Sequence, residues 1–255
     1  MSFNILSLSR TPIRTIVASL ALLPLSSHAV ILSTDFTEAN LAATGLSVDI
    51  PNAGLGNATM NTADDRLEFV ATGNTDMWGA RNNAPIVWAA KPTAANWFIQ
   101  VEVEYPSSDN GRVLGLTVYA DSDGSRPDFT YALDNWTGQA FGAVRLQGLG
   151  DNNPNISTAT TQQRVILRLE VEEDGGGAGI ARYTPMYDLL NGGGMQSLPT
   201  YDSNFDNSRA GVFMKTNGAK TGYIHSFELG VVPEPSSLAL LSLGLFGLIA
   251  HRRRH

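Results

Sequence analysis

The sequence predicts an all-β domain, a two-sheet antiparallel β-sandwich or jelly roll, flanked by an N-terminal signal peptide and a C-terminal single transmembrane helix. Three observations predict it. Apolar and polar residues alternate at period two through the central part of the chain, and no sustained helical stripe interrupts them. Clusters of Asp, Asn, Ser and Gly recur between the alternating runs, as turns between short strands require. Both ends carry an uncharged apolar run next to arginines. The expected divisions are residues 1–29, 30–231 and 232–255.

The N-terminal element comes first. Arg10 and Arg14 form a positive region, and Ile16–Leu25 is apolar except at Ser19 and Pro24. Ser27-His28-Ala29 then places small residues at the two positions a signal peptidase reads, so cleavage is expected between Ala29 and Val30. No arginine pair precedes the apolar run, which favours the general secretory translocon, with signal peptidase as the second partner.

The strands follow. In Trp97–Tyr105, the residues Trp97, Ile99, Val101, Val103 and Tyr105 share one face, while Phe98, Gln100, Glu102 and Glu104 share the other. In Arg164–Glu173, Val165, Leu167, Leu169 and Val171 alternate with Arg164, Arg168, Glu170 and Glu172. One buried and one wet face is the mark of an antiparallel sheet. Further strands are expected over 66–72, 113–120, 128–135, 142–147, 180–183, 211–215 and 223–230. Ser107–Gly111, Asp121–Gly124 and Asp174–Gly177 should each turn a hairpin, and Asp151–Asn155 is a longer loop. About ten short strands with regular turns make a sandwich the economical arrangement.

The 255 residues carry a net charge of −7, but the end segments conceal the acidity of the middle. Five of the 17 basic residues are Arg10, Arg14 and Arg252–Arg254, whereas all 24 acidic residues lie between Asp35 and Glu234. From Asp35 to Glu234 the chain therefore holds 12 basic against 24 acidic residues, a net −12. Such a surface does not favour nucleic acid or anionic lipid, and no nucleic-acid partner is expected. The absence of cysteine removes disulfides, thiolate metal sites and thiol nucleophiles together. Three of the four histidines lie in the end segments, which leaves His225 alone in the domain and rules out a histidine-rich metal site. No Gly-x-Ser-x-Gly accompanies it, so His225 reads as structural.

The C-terminal end has three parts in order: Pro233-Glu234-Pro235, the apolar run Ser236–Ala250, and Arg252-Arg253-Arg254 between two histidines. The prolines fix φ and cannot donate to a helix or sheet, so the tripeptide stays extended. The run of 15 residues covers ~22 Å as a helix, short of a ~30 Å hydrocarbon core, and snorkelling arginines with local thinning close part of the gap. The arginines favour the cytoplasmic side and place the domain beyond the inner membrane. Residues 232–255 resemble the PEP-CTERM sorting signal of exported Gram-negative proteins. The resemblance implies recognition by an exosortase, which cuts near the tripeptide, and a precursor held transiently in the inner membrane before it reaches the cell surface or the extracellular space. It also implies association with exopolysaccharide in a biofilm matrix.

Residues 66–230 resemble a concanavalin A-like or laminin-G-like jelly roll. The likeness rests on the order of Asp76-Met77-Trp78, Asn83-Ala84-Pro85-Ile86, the Trp97–Tyr105 strand, Gly115–Tyr119, Phe129-Thr130-Tyr131, Ala210–Phe213 and Ser226–Leu229. It implies the fold; many members bind or cut glycans, but fold alone assigns neither activity.

A glycoside hydrolase needs two carboxylates across a sugar, and the Glu-x-Asp-x-x-Glu strand of one such family on this fold is missing. Glu102 and Glu104 read as a solvated face, and the expectation is a protein that is not an enzyme. Asp121, Asp123 and Asp128 place hard oxygen ligands in one segment and are the candidate calcium ligands, though the same residues also make a plain turn. No other cofactor is expected. Trp78, Tyr131 and Trp136 are the candidate ligand-binding aromatics, because sugars use an apolar ring face beside polar groups. Trp88 and Tyr119 are also available, and Trp97 reads as core. The expectation is a matrix protein that binds exopolysaccharide, with a secreted glycan-active enzyme and a ligand-free structural protein as alternatives.

Overall fold

The computed structural model describes residues 28–76, 83–108, 110–119, 129–134, 143–148, 156–204 and 208–232. In chain order the strands are β1 (Ala29–Thr34), β2 (Ser47–Asp49), β3 (Gly56–Asn61), β4 (Arg66–Ala71), β5 (Asn74–Thr75), β6 (Ile86–Ala90), β7 (Asn96–Glu104), β8 (Arg112–Tyr119) and β9 (Phe129–Asp134). They continue as β10 (Ala143–Gly148), β11 (Ile156–Ala159), β12 (Arg164–Gly177), β13 (Ile180–Asp188), β14 (Gln196–Ser197), β15 (Tyr201–Ser203), β16 (Arg209–Asn217) and β17 (Lys220–Val231). One 3-10 turn, Leu41–Thr44, is capped by Asn40, whose side chain accepts from the Ala43 N–H.

The strands form two antiparallel sheets. The first runs β14-β13-β12-β7-β17-β4-β3, with β1 added on β17 and β15 on β13. The second runs β11-β10-β9-β8-β16-β6-β2, with β5 added on β16. The inner faces meet in one core. From the first sheet come Phe69, Trp97, Val101, Leu167, Tyr183 and Phe227, and from the second Val87, Leu116, Val118, Tyr131, Val212 and Met214. The inward faces of β7 and β12 follow the period-two reading: Trp97, Ile99, Val101 and Val103 are fully buried, as are Val165, Leu167 and Leu169. The wet faces depart from it at Phe98 and Arg168, which are buried because the Arg168 guanidinium covers the Phe98 ring at 3.8 Å. Trp97 also spends its one polar group. Its Nε1 donates to Glu173 Oε1 at 2.6 Å, and Lys91 Nζ donates to the same oxygen at 2.7 Å.

The second sheet departs from simple alternation. On its outer face Ala84, Ile86, Tyr119, Ala132 and Phe213 form a second buried cluster, with Trp88 and Val113 packed against it. A sheet apolar on both faces reads in sequence as a continuous hydrophobic run, and that is how Val113–Tyr119 and Ala210–Met214 read.

Two turn expectations need correction. Ser107–Gly111 does not close a hairpin. It carries the chain from β7, which pairs with β12 and β17, across to β8, which pairs with β9 and β16. Turn residues specify a reversal of direction but not the hydrogen-bond partner; here burial of both apolar faces on a common core selects the crossing. The Asp174–Gly177 segment belongs to β12, and the tip of the β12–β13 hairpin is Ala178-Gly179. Gly179 adopts φ 73° and its N–H donates to Asp174 Oδ1 at 2.8 Å, so the glycine run extends the strand and the aspartate caps the turn beyond it. The Asp121–Gly124 reading does join a hairpin, since β8 and β9 pair directly; the loop itself lies outside the described residues.

No helix among the described residues is long and apolar enough to cross a membrane. The expected span, 236–250, and the expected signal peptide up to Ser27 lie outside the described residues. The expected cleavage position falls inside β1, where Ala29 pairs with Val231 and Val30 with Gly230.

Candidate functional site

The sheet delivers the C-terminal motif directly. β17 ends at Val231, which lies between Ala29 of β1 and Trp97 of β7. One residue later the Val232 N–H still donates to Asn96 O at 3.0 Å. Pro233-Glu234-Pro235 follows without a linker. These three residues and Arg252–Arg254 lie outside the described residues.

Trp78, Trp136, Asp121, Asp123 and Asp128 also lie outside the described residues. Among the described residues no group of three or more His, Asp or Glu could hold a metal ion. Tyr131 is described, and it is a core residue rather than an open platform. It is fully buried, its hydroxyl donates to Met186 O at 2.9 Å, and burial pushes its phenol well above the usual tyrosine range. The alternation Thr130-Tyr131-Ala132-Leu133 points it inward with Leu133.

An aromatic and charged group does assemble on the outer face of the second sheet, at one end. Register brings it together: Arg209 opens β16 opposite Tyr119, the last residue of β8, while Trp88 of β6 lies opposite Gly211 of β16 and Ser47 of β2. The Arg209 guanidinium stacks over the Trp88 ring at 3.7 Å and lies 5.7 Å from the Tyr119 ring. Its Nη1 donates to Asp49 Oδ2 at 3.2 Å. The carboxylate, cation and indole thus fix one another. Trp88 Nε1 is buried and has no hydrogen-bond partner among the described residues, a state that costs about 1–3 kcal/mol unless water or a ligand oxygen accepts from it. Strand β8 ends at Tyr119 at this same end of the sheet; residues 120–128, with the three candidate aspartates, lie outside the described residues. A ring held by a guanidinium, with an unspent N–H on its edge, is chemistry suited to a neutral or acidic sugar.

Sequence reading missed this group because it missed β6. Pro85 and Pro92 bracket the short run Ile86–Ala90, and its two alanines weaken the alternation. The period was nevertheless present: Val87 and Ala89 point into the core, and Trp88 points out.

The outer face of the first sheet is an ion-pair ladder. His225 Nε2 lies 2.6 Å from Glu104 Oε2, and Arg164 joins Glu102, with its Nη1 3.9 Å from Glu104 Oε2. Arg168 lies over Phe98 at 3.8 Å and pairs with Glu170 at 2.8 Å, and Arg66 stacks on Tyr223 at 3.8 Å while pairing with Glu68 at 2.7 Å. A hydrogen bond from Asn61, with help from Arg66, holds the Glu68 carboxyl below its usual range. Glu102 and Glu104 therefore sit on the wet, ion-paired face that their alternation indicates.

At the far end of the sandwich, an open cleft of about 500 Å³ is lined by Thr72, Pro106, Ser107, Arg112, Lys220 and Thr221, among others. Arg112 is spent on structure there, donating to Thr221 O, Ser107 O and Ser107 Oγ at 2.8, 2.8 and 2.6 Å.

The family model of the PEP-CTERM protein-sorting motif matches residues 231–254. No curated protein matches the chain. Among solved structures, the sandwich is similar to a bifunctional GH43-CE protein of Bacteroides eggerthii (TM-score 0.59, 12% identity, 80% of this chain and 26% of that one). It is also similar to the GH43 protein BlXynB of Bacillus licheniformis (TM-score 0.56, 11% identity, 80% of this chain and 39% of that one). The exoplasmic/lumenal domain of VIP36 in a Ca2+/Man2-bound form aligns at TM-score 0.49 and 12% identity, over 80% of this chain and 90% of that one. The chain spans about a quarter to two fifths of the two GH43 chains, and at these identities the likeness shows the fold alone. The sandwich thus carries, at residues 231–254, the PEP-CTERM protein-sorting motif that marks the chain as an exosortase substrate.

Proposed function

We propose that this chain is exported as a precursor, anchored in the inner membrane by residues 236–250, cut by an exosortase near Pro233-Glu234-Pro235, and released to the cell surface or matrix, where the sandwich binds exopolysaccharide. The observation that carries the sorting part is the match of residues 231–254 to the motif, which begins at the last residue of β17. The polymer-binding part is supported by Trp88, Arg209 and Tyr119, whose stacked ring and unspent indole donor suit a sugar. On this reading the sandwich is a binding module and not an enzyme. The carboxylates Glu102 and Glu104 serve the ion-pair ladder, and the sugar is held rather than hydrolysed.

Mass spectrometry of the mature C-terminus tests the sorting part. The expected product ends near Pro235 and lacks the Arg252–Arg254 peptide; its retention in the mature protein would refute processing. Co-sedimentation with exopolysaccharide from the producing strain tests the binding part. Retention that is unchanged by Trp88→Ala would refute the assigned site, and release of sugar from the polymer would favour a glycan-active enzyme instead.

A further inference from the structure

The two end segments leave the sandwich side by side. β1 and β17 are antiparallel, with Ala29 opposite Val231 and Val30 opposite Gly230. The start of β1 and the end of β17 therefore share one edge of the sheet, roughly 5 Å apart. Val232 is still held to β7 by its bond to Asn96 O at 3.0 Å. From Val232 to Ser236, where the apolar run begins, the chain advances four residues, which fully extended reach at most about 14 Å. The polar layer on one side of a bilayer is about 5–7 Å thick. A sandwich tethered this tightly cannot stand away from a membrane that holds Ser236.

The same corner carries an apolar pair. Ile31 and Val30 are 59% and 51% exposed, the two most exposed large apolar side chains among the described residues. Ile31 sits at the irregularity between Val30 and Leu32, where the pairing with β17 shifts register. Adjacent exposed β-branched side chains at a tether point fit an interfacial contact. The acidic domain has no charge attraction to an anionic headgroup layer, so the tether and this pair set the orientation.

We propose that the β1–β17 corner is a membrane-apposed surface. In the tail-bearing precursor, Val30 and Ile31 lie against the headgroup layer of the bilayer that holds residues 236–250, and the exosortase meets Pro233-Glu234-Pro235 in a gap of three residues between sheet and lipid. This rests on the proposed span. Its partner is a lipid surface, and its consequence is that the enzyme works at the interface, against a folded edge.

The chain has no cysteine, so Ile31→Cys gives a single labelling site. Ala219→Cys provides the control. It precedes Lys220 at the far end of β17, whose 12 residues span roughly 40 Å. Residues 30–255, with Pro233-Glu234-Pro235 changed to alanines, would be labelled with a polarity-sensitive dye and reconstituted in phosphatidylcholine vesicles carrying a headgroup nitroxide. The expected result is at least threefold stronger quenching at position 31 than at 219, with the difference abolished in chains ending at Val232. Protein that floats with the vesicles but quenches equally at both positions would overturn the membrane-apposed corner while leaving the span intact. Protein that fails to float would overturn the span itself. Matching near-ultraviolet circular dichroism of the two labelled chains establishes that both are folded.

Discussion

Replacing Arg112 with leucine tests what closes one end of the sandwich. Arg112 opens β8 in the second sheet and is only 1% exposed. Its guanidinium donates to Thr221 O on β17 of the first sheet and to Ser107 O and Oγ in the crossing segment, and it lies 4.7 Å over the Tyr105 ring. The Tyr105 hydroxyl donates in turn to Leu133 O on β9. One side chain therefore ties both sheets to the connection between them. Bonds from a charged donor contribute about 1.5–3 kcal/mol each, and three bonds on one fork do not add fully. Leucine would leave the Ser107 and Thr221 carbonyls orphaned at about 1–3 kcal/mol each, offset by about 1.5–3 kcal/mol from its own apolar burial. The expected net loss is about 4 kcal/mol, a large part of a typical stability of about 5–15 kcal/mol. For a domain of this size that lowers Tm by about 8–16 °C. Arg112→Lys keeps the charge but loses the planar fork, so it should fall between the two. Thermal melts and urea titrations of the mature protein read both. A leucine variant melting within 3 °C of wild type would refute the clamp, and one melting higher would mean that desolvating the guanidinium costs more than its bonds return.

The remaining predictions concern sorting, pH, packing and binding. Changing Pro233-Glu234-Pro235 to alanines should leave uncut precursor in the membrane fraction, read by immunoblot; normal release would show that the tripeptide is not what the enzyme recognises. Burial pushes the phenols of Tyr105 and Tyr131 well above the usual tyrosine range. The unfolded phenols ionise near pH 10, so the stability is fully present below that pH and is lost as pH rises above it, at up to about 2.7 kcal/mol per pH unit for the pair. Urea midpoints at pH 9 and 11, with phenolate absorbance followed alongside, would check this; two phenols titrating freely in the folded protein would contradict it. A methyl group at Gly211 would meet Val87 O at 2.4 Å and Trp88 Cα at 2.9 Å, both on the backbone of β6. Gly211→Ala should cost about 2–4 kcal/mol, and a wild-type melt would show that β6 and β16 can part easily. Trp88→Phe keeps a ring under Arg209 but removes the unspent donor. Polysaccharide retention should fall about fivefold with Tm within 3 °C, consistent with one lost hydrogen bond of about 1 kcal/mol; unchanged retention would remove the indole N–H from the site.

Much of the fold was legible because a period of two is a local property. Val165, Leu167 and Leu169 must share a face in any strand, whatever the strand packs against. Strands that deviate from that pattern were harder. β6 is short, alanine-rich and bounded by prolines; β1 overlaps the expected leader boundary; β2, β5, β14 and β15 have only two or three residues each. The candidate ligand group was barely legible. Asp49, Trp88, Tyr119 and Arg209 are spread over 160 residues and meet only because β2, β6, β16 and β8 lie side by side. Tyr131 illustrates the opposite difficulty: an aromatic beside polar neighbours suggests a platform, but its side of β9 faces the core.

The sequence alone determined the sorting motif, the acidity of the middle, the absence of thiol chemistry and the all-β class. Each of these is written in consecutive residues or in composition, and none requires knowing what touches what. Only the tertiary structure decided that the β7–β8 turn crosses between sheets, that Arg112 is a clamp, and that Arg209 stacks on Trp88. It also decided that the first strand lies against the last, so that both ends of the domain leave at one corner. Those facts depend on which strands pair, and pairing is set by the shared burial of distant apolar faces, which no local pattern encodes.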